Sequence, residues 1–341
     1  MSEAANSVPD TIHTEKTQRP LAFRFSGEGF EFFRIWIVNL ALTIVTLGLY
    51  SPWAKVRTHR YFYGNTHLDG NSFEYLADPV RILKGRLIAI ACLVVYVVAE
   101  RLLPLLALAL AAIFALLVPY IVVRAIAFHH YYSAWRGIRF GFNAPMGEAY
   151  KVFLLWPLLA TLSLGLLFPY VLCRQERFII GHSRYGKQHF DFSARPGAFY
   201  RVFLILIGII LLAGVAGGIL SLLFAPLLVV AITAGYLLAF ALGSVLLVNL
   251  RFNHMTLGEQ GFHANYRAGS YAWLVLSNTL ALLLTLGLFY PWARVRTARY
   301  AAGHIGMTVS GDLDEFVAAR QQEQSALGSE MSDVFDVDLG L

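Results

Sequence analysis

The chain has 341 residues, of which 57% are hydrophobic and 14% charged, and its formal net charge is +6. A mean hydropathy of +0.60 leaves too little polar material for an ordinary soluble domain. The two cysteines, Cys92 and Cys173, offer neither a disulfide framework nor a metal-ligand spacing. These values predict a multi-pass membrane protein, for which we expect membrane lipids, anionic ones in particular, as partners and no nucleic acid.

The two ends of the chain are polar. The first 20 residues lack the apolar core of a cleavable signal peptide, so we expect none. Because these residues are polar, we expect a disordered segment over 1–20. The last residues, 319–341, are acidic and poor in large apolar side chains, which predicts a second disordered segment. Between them lies a predicted membrane domain, 21–318, in three repeats at about 21–123, 124–250 and 251–318.

The repeats are defined by one motif. Thr46–Tyr61 and Thr285–Tyr300 are identical at 12 of 16 positions without a gap. A fainter middle copy places Gly165, Pro169, Arg174 and Arg177 on Gly48, Pro52, Arg57 and Arg60. Each copy has an apolar stretch, a Gly/Pro break and then a basic aromatic segment, the order expected at a membrane boundary.

Long uncharged stretches predict the membrane segments. Val202–Leu250 is uncharged for 49 residues, enough for two spans that turn near Phe224, and Leu87–Val123 predicts a second helical hairpin. Three further uncharged stretches of 20 residues or more contain the motif copies: Ile35–Ala54, Val152–Cys173 and Ala268–Ala293. A simple count therefore favours seven full spans.

The charge pattern supports an alternative topology. With seven spans, the basic segments after the first and middle copies would face opposite sides, which the positive-inside rule disfavours. Four spans and three re-entrant motif segments would keep every basic loop cytoplasmic. A re-entrant segment needs a break in its helix, which Gly48 and Pro52 would supply in the first copy and Gly287 and Pro291 in the last. Both topologies place the carboxyl terminus in the cytoplasm.

Several blocks resemble the YjgN family of bacterial inner-membrane proteins. The resemblance is carried by Phe25–Gly27, Phe30–Phe33, Ile35–Asn39, the first motif copy through Thr66, and Ile82–Arg86. The middle copy departs from the pattern, with Tyr170 in place of the tryptophan and Leu172 in place of the lysine. The resemblance implies an integral inner-membrane protein and supplies no activity.

The motif also supplies the candidate site residues. Trp53, Lys55, Trp292 and Arg294 are predicted interface anchors, since tryptophan and cations prefer the headgroup level. Arginines three residues apart share a helix face and could bind a phosphate or carboxylate; the pairs are Arg57 and Arg60, Arg174 and Arg177, and Arg296 and Arg299. Asn39 and Asn278 lie at equivalent positions inside the apolar segments, where an interhelical hydrogen bond and a permeation path are the two alternatives.

The expected fold class is an all-α polytopic membrane protein of three related units, with short cytoplasmic β-hairpins where apolar and polar residues alternate, as at Phe73–Tyr75 and Phe190–Phe192. The favoured function is a transporter- or channel-like protein with a site for an anionic solute or lipid headgroup, because internal repeats with broken helices commonly build such sites. The alternative is a non-transporting scaffold or lipid-interacting protein. We expect no enzymatic activity, cofactor or metal, since no catalytic or ligand constellation is visible.

Overall fold

A computed structural model describes residues 18–311, 313–314 and 317–319. Most of the predicted disordered segment 1–20, and all of the acidic tail beyond residue 319, lie outside the described residues. Within them the chain alternates between short strands and helical hairpins.

The strands form one antiparallel sheet whose order is β1-β11-β10-β9-β8-β7-β6-β5-β4-β3-β2. Its two outermost strands are successive parts of one extended segment, separated by Phe23, so the sheet is a near-closed barrel. The strand bounds are β1 Gln18–Ala22, β2 Arg24–Phe25, β3 Thr66–Leu68, β4 Asn71–Tyr75, β5 Ser133–Trp135, β6 Ile138–Phe142, β7 Ser183–Tyr185, β8 Gln188–Phe192, β9 Met255–Leu257, β10 Gln260–Ala264 and β11 Ile305–Ser310.

The predicted all-α architecture of three units is therefore wrong. The strands are short, and the pairing that closes the sheet joins residues far apart in the sequence. For example, Leu21 of β1 pairs with Met307 of β11. Alternation over two to six residues identifies single strands, but it does not show that they belong to one sheet. The β-hairpins expected near Tyr75 and Phe192 are present, and all of them belong to the barrel.

Five helical hairpins leave the barrel and return to it. Two are long, α3 Pro79–Leu102 with α4 Pro104–Tyr131, and α8 Pro196–Ser221 with α9 Pro226–Phe252. Three are short and contain the motif copies. Their helices are α1 Gly29–Val45 and α2 Ser51–Gly64; α5 Met146–Tyr150, a π-helical turn Lys151–Leu155, α6 Trp156–Leu162 and α7 Phe168–Gly181; and α10 Ala268–Leu284 and α11 Tyr290–His304.

The long hairpins contain the four helices that, among the described residues, are long and apolar enough to cross a membrane. Their side chains mostly point away from the protein, as Leu105 and Leu222 show, each 85% exposed. Outward apolar surface of this extent requires lipid rather than water as its solvent.

The short hairpins reverse direction at one shared turn. A leucine with φ near 50° precedes a glycine with φ near 90° in all three, at Leu47–Gly48, Leu164–Gly165 and Leu286–Gly287. Glycine is needed there because a side chain rarely tolerates that backbone region. The turn leucines are 94–95% exposed, so each hairpin ends in an apolar tip suited to insertion in lipid.

This geometry contradicts seven full spans. A motif segment that crossed the membrane would have to end on the face opposite its starting strand, whereas every hairpin begins and ends on the same barrel. The fold agrees instead with the alternative of four spans and three re-entrant hairpins. The turns satisfy their own backbone groups, since the N–H groups of Gly48, Gly165 and Gly287 each donate to a carbonyl five residues earlier.

The hairpins form a ring above the barrel. Contacts join α2 to α3, α4 to α5, α7 to α8, α9 to α10, and α11 to α1, so each hairpin packs on the next. The barrel interior is a continuous apolar core that includes one buried residue from each strand that follows a hairpin: Leu68, Trp135, Tyr185, Leu257 and Met307. Leu313 and Val317, which follow the last strand, belong to the same core.

Candidate functional site: an axial chamber

The helices that lead back into the barrel enclose a chamber. We call α2, α4, α7, α9 and α11 the return helices. Four of them line a cavity of about 690 Å³, to which they contribute residues such as Thr58, His59, His129, Phe252 and Arg294. We call this cavity the axial chamber, and its volume lies in the range of small-molecule sites.

A second cavity of about 540 Å³ lies inside the barrel. We call it the barrel cavity, and the fifth return helix, α7, contributes Ile179 and Ile180 to its wall. It shares part of its lining with the axial chamber, so the two cavities adjoin. Five phenylalanines line its wall. Four of them come from the strands that precede a hairpin, namely Phe73, Phe140, Phe190 and Phe262, and Phe23 lies between β1 and β2. The barrel therefore offers an apolar, aromatic pocket directly below the chamber.

Several of these phenylalanines contact one another or the core aromatic residues. The ring centroids of Phe23 and Phe73 are 6.1 Å apart, and those of Phe190 and Phe262 are 6.0 Å apart. Phe140 packs on Tyr185 at 5.2 Å. Such pairs fix ring orientations beyond simple burial, so the pocket has a defined shape.

The end of the chamber nearer the hairpin tips is cationic. Arg294 and His59 line it, and Lys55 lies one turn before His59 on the same helix face. The ring of His59 is 5.6 Å from that of His129 and 4.8 Å from that of Tyr75. Burial, together with the nearby charges of His129, Lys55 and Arg294, lowers the pKa of His59 to about 4. His59 is thus a neutral imidazole at pH 7 beside two permanent cations.

Two further pairs of polar groups line the two cavities. Arg251 Nε donates to Glu176 Oε2 at 2.8 Å, which joins α9 to α7 and neutralises the carboxylate. Ser183 Oγ lies 2.9 Å from His130 Nε2, and that serine hydroxyl also donates to a backbone carbonyl. Because these groups satisfy each other, the unbalanced charge of the lining lies at the end near His59.

The predicted arginine pairs have separate roles. Arg57 Nη1 donates to Asn39 Oδ1 at 3.4 Å, and Arg296 Nη1 donates to Asn278 Oδ1 at 2.7 Å. Both asparagines are buried, and each also donates to a backbone carbonyl of its own hairpin. Neither asparagine lines the axial chamber or the barrel cavity, so the geometry favours the interhelical hydrogen bond over the permeation path.

The second arginine of each pair braces the barrel. Arg60 donates to the carbonyls of Tyr75 and Ala77, Arg177 to that of Ala194 and Arg299 to that of Gly27. Each accepting carbonyl lies at the last residue of a strand, or between that strand and the helix that follows it. Asn249 of α9 makes the equivalent contact with Tyr266, a role that motif comparison missed because the long hairpins lack the motif.

The middle copy differs where the sequence differs. Arg174 Nε donates to the Tyr170 hydroxyl at 2.9 Å. Trp156 occupies the position of Asn39, and its ring lies 4.8 Å from that of Tyr170. The amide of the outer copies is thus replaced by an aromatic contact.

The predicted interface anchors lie near the hairpin tips. Trp53 stacks on Tyr50 at 6.0 Å, and Trp292 stacks on Phe289 at 5.9 Å. Arg294, predicted as an anchor, lines the chamber and lies over the ring of Phe62 at 5.2 Å. Sequence reasoning placed it at an interface and missed its position in a cavity, because nothing local shows which face of α11 points inward.

Histidines follow the aligned helix ends for a structural reason. The Nδ1 atoms of His182, His254 and His304 lie 2.8–2.9 Å from the carbonyl oxygen four residues earlier. The Asn65 side chain donates to the carbonyl of Tyr61 in the same way. These side chains satisfy the last carbonyls of the return helices.

A lateral cleft leads from the membrane side towards the chamber. Its cavity of about 430 Å³ lies between the first and last short hairpins, with Trp36, Gly287 and Tyr290 in its wall. Thr58 lines both the cleft and the axial chamber. Thr58 therefore borders both spaces.

Four bilayer-length apolar helices and three apolar-tipped hairpins, joined to one barrel, define an integral membrane protein with an axial chamber. A family model described as "Bacterial protein of unknown function (DUF898)" matches residues 20–334. The chain belongs to this family.

Its relatives include inner-membrane proteins. The chain is 30% identical over 144 residues to the Inner membrane protein YjgN of Salmonella typhimurium, a match that covers 41% of this chain and 36% of that protein. The protein of the same name from Escherichia coli K12 is 28% identical over 151 residues, with 42% and 36% covered. The match thus spans about a third of the relatives' own length. No solved structure matches the chain. The YjgN resemblance is confirmed, and the chain is an inner-membrane protein of that family.

Proposed function

We propose that this protein is a transport-class membrane protein whose axial chamber binds an anionic ligand, without catalysing a reaction. The observation that carries the proposal is the chamber of about 690 Å³, enclosed by the return helices and cationic at its membrane end. A repeat architecture with broken helices around a central site is a common plan of transporters. The unbalanced positive charge near His59 and Arg294 selects for an anion.

Charge supports a cytoplasmic barrel and carboxyl terminus. Arg60, Arg81 and Lys84 lie on helices near their connections to the barrel. At the far end of the first long hairpin, near Leu103, the charged residues are Glu100 and Arg101. The far end of the second long hairpin, near Phe224, has no charged residue. Positive residues remain on the cytoplasmic side of inner-membrane proteins. The same cations, with Trp53 and Trp292, would hold the protein against anionic lipid.

The experiment is side-specific labelling of chamber cysteines in oriented membrane vesicles. Ala298→Cys and Ala301→Cys, in a chain without Cys92 and Cys173, place thiols in the chamber wall. Leu283→Cys, which is 68% exposed on the lipid-facing part of α10, is the matched control. Transport predicts reaction with a charged, impermeant thiol reagent from both faces of the membrane, and no reaction at the control.

A second candidate is a non-transporting lipid-interacting protein. The closed floor of the barrel favours it, because Trp135, Tyr185 and Met307 fill the end of the cavity furthest from the membrane. No reaction of the chamber cysteines from either face would support this candidate and contradict transport. Reaction from the cytoplasmic face alone would contradict both, because it requires an open floor without access from the other side.

A further inference from the structure

The axial chamber and the barrel cavity differ sharply in chemistry. The membrane end has Lys55, His59 and Arg294 close together. The barrel end is lined mainly by phenylalanine, leucine and methionine side chains, and the carboxylate of Glu176 is neutralised there by Arg251. A small inorganic anion would use the first part and leave the second part empty.

The barrel cavity is unusual because it is apolar and is not filled by the barrel's own side chains. Barrels of this size can be filled by their own side chains, yet this one retains about 540 Å³ of cavity above its floor. Dry apolar cavities are costly unless an apolar ligand fills them. The five phenylalanines therefore surround space whose natural occupant is a hydrocarbon.

The lateral cleft supplies a route from lipid. It lies between apolar tips that are suited to the bilayer, near Gly287, and Thr58 lines both the cleft and the chamber. Leu282, Trp36 and Phe32 also line it. An amphiphile that entered from the bilayer by this cleft would pass Thr58, between the first and last hairpins.

We propose that the connected cavities bind a single-chain anionic amphiphile, with its carboxylate or phosphate at Lys55, His59 and Arg294 and its hydrocarbon chain inside the barrel among the five phenylalanines. This inference rests on the proposed ligand-binding role of the axial chamber and specifies the ligand class. Neutral His59 can donate one hydrogen bond to the head while the two permanent cations balance its charge. The chain would end above Trp135.

The test uses Trp135 as a reporter of chain entry. The other five tryptophans are replaced by phenylalanine, and the full chain is placed in nanodiscs of unbrominated phosphatidylcholine. A long-chain fatty acid brominated near its methyl end is added, and in a second arm a lysophospholipid with the same brominated chain. We expect saturable quenching of Trp135 fluorescence in at least one arm, and the arm that quenches identifies carboxylate or phosphate as the head.

Three comparisons make the test specific. The corresponding single-tryptophan variant with Trp273, which is 66% exposed towards lipid, should show only non-saturating quenching from partitioning. The uncharged fatty alcohol should bind at least about tenfold more weakly, and Lys55→Gln with Arg294→Gln should weaken acid binding by a similar factor. Arg57→Gln, whose guanidinium contacts Asn39 outside the chamber, should leave binding within about twofold.

Quenching of Trp135 that does not saturate, no quenching in either arm, or equal binding of the alcohol would overturn the inference. If the tryptophan replacements unfold the chain, native mass spectrometry of the wild-type protein and the Lys55/Arg294 double variant answers the same question through retained fatty acid. Reactive chamber cysteines with an unquenched Trp135 would refute the ligand class and leave the proposed function standing. Unreactive cysteines would refute the proposed function itself.

Discussion

The barrel and the long hairpins are both rich in large apolar side chains, but these side chains face different surroundings. In the barrel, Trp135 and Ile138 are at most 4% exposed and lie within the protein. In the long hairpins, Leu105 and Leu108 are at least 70% exposed. The same chemistry therefore stabilises the barrel by packing and the hairpins by contact with lipid, and substitutions should distinguish the two.

The largest effect should come from the barrel floor. Trp135→Ala removes a side chain that packs on Phe73 and Tyr185, and we expect a loss of about 3–5 kcal/mol in unfolding free energy. Leu108→Ala, on a lipid-facing position, should change it by less than about 0.5 kcal/mol. Thermal unfolding of the full chain in one detergent measures both, and equal effects would show that the barrel is not a packed core.

A smaller effect should follow at the junction between the two regions. Arg299→Gln removes the 2.9 Å hydrogen bond to the Gly27 carbonyl, and we expect a loss of about 1.5 kcal/mol. Lys187→Gln, at an exposed barrel turn, removes the same charge and should be near neutral. If the two variants unfold at the same temperature, the arginine does not brace the barrel.

The pH dependence of stability should reveal the chamber histidine. The folded-state pKa of His59 is lowered to about 4, so between pH 6.5 and 4 the unfolded chain binds a proton that the folded chain does not. Stability should therefore fall as pH falls through that window, and His59→Gln should flatten this part of the profile. The groups that face His59 are Lys55 on its own helix, His129 on α4, Arg294 on α11, and Tyr63 and Tyr75. A profile unchanged by the substitution would contradict the burial of this imidazole.

The smallest effect should be at the helix ends. His254→Ala removes the contact with the Leu250 carbonyl and should cost about 0.5–1 kcal/mol. His254→Asn should recover part of that loss, since asparagine fills the equivalent position at Asn65. Unfolding midpoints of the two variants provide the measurement, and identical losses would argue against a capping role.

The sequence predicted the membrane segments well because their signal is local. The uncharged stretches gave both long hairpins, and Gly48 with Pro52 gave the break in the first short hairpin. Length alone could not separate a crossing from a hairpin that doubles back, because both need about twenty apolar residues. The charge pattern was the better guide.

The barrel was poorly predicted because its information is distributed. Phe73–Tyr75 and Phe190–Phe192 show the alternation of a strand, while Gln260–Ala264 hardly does. Closure depends on Leu21 meeting Met307 across almost the whole chain, and no local pattern encodes that contact. The inward position of Arg294 depends on the same closure.

One measurement tests the central claim, that every hairpin starts and ends on one barrel at one face of the membrane. Asn71→Cys, at the exposed start of β4, and Lys187→Cys, at an exposed turn, place thiols on the barrel after the first and middle motif copies. Leu103→Cys marks the far end of a long hairpin. In a chain without Cys92 and Cys173, we expect an impermeant thiol reagent to label the two turn positions from the cytoplasmic face and Leu103→Cys from the opposite face. Labelling of Asn71→Cys and Lys187→Cys from opposite faces would contradict the account.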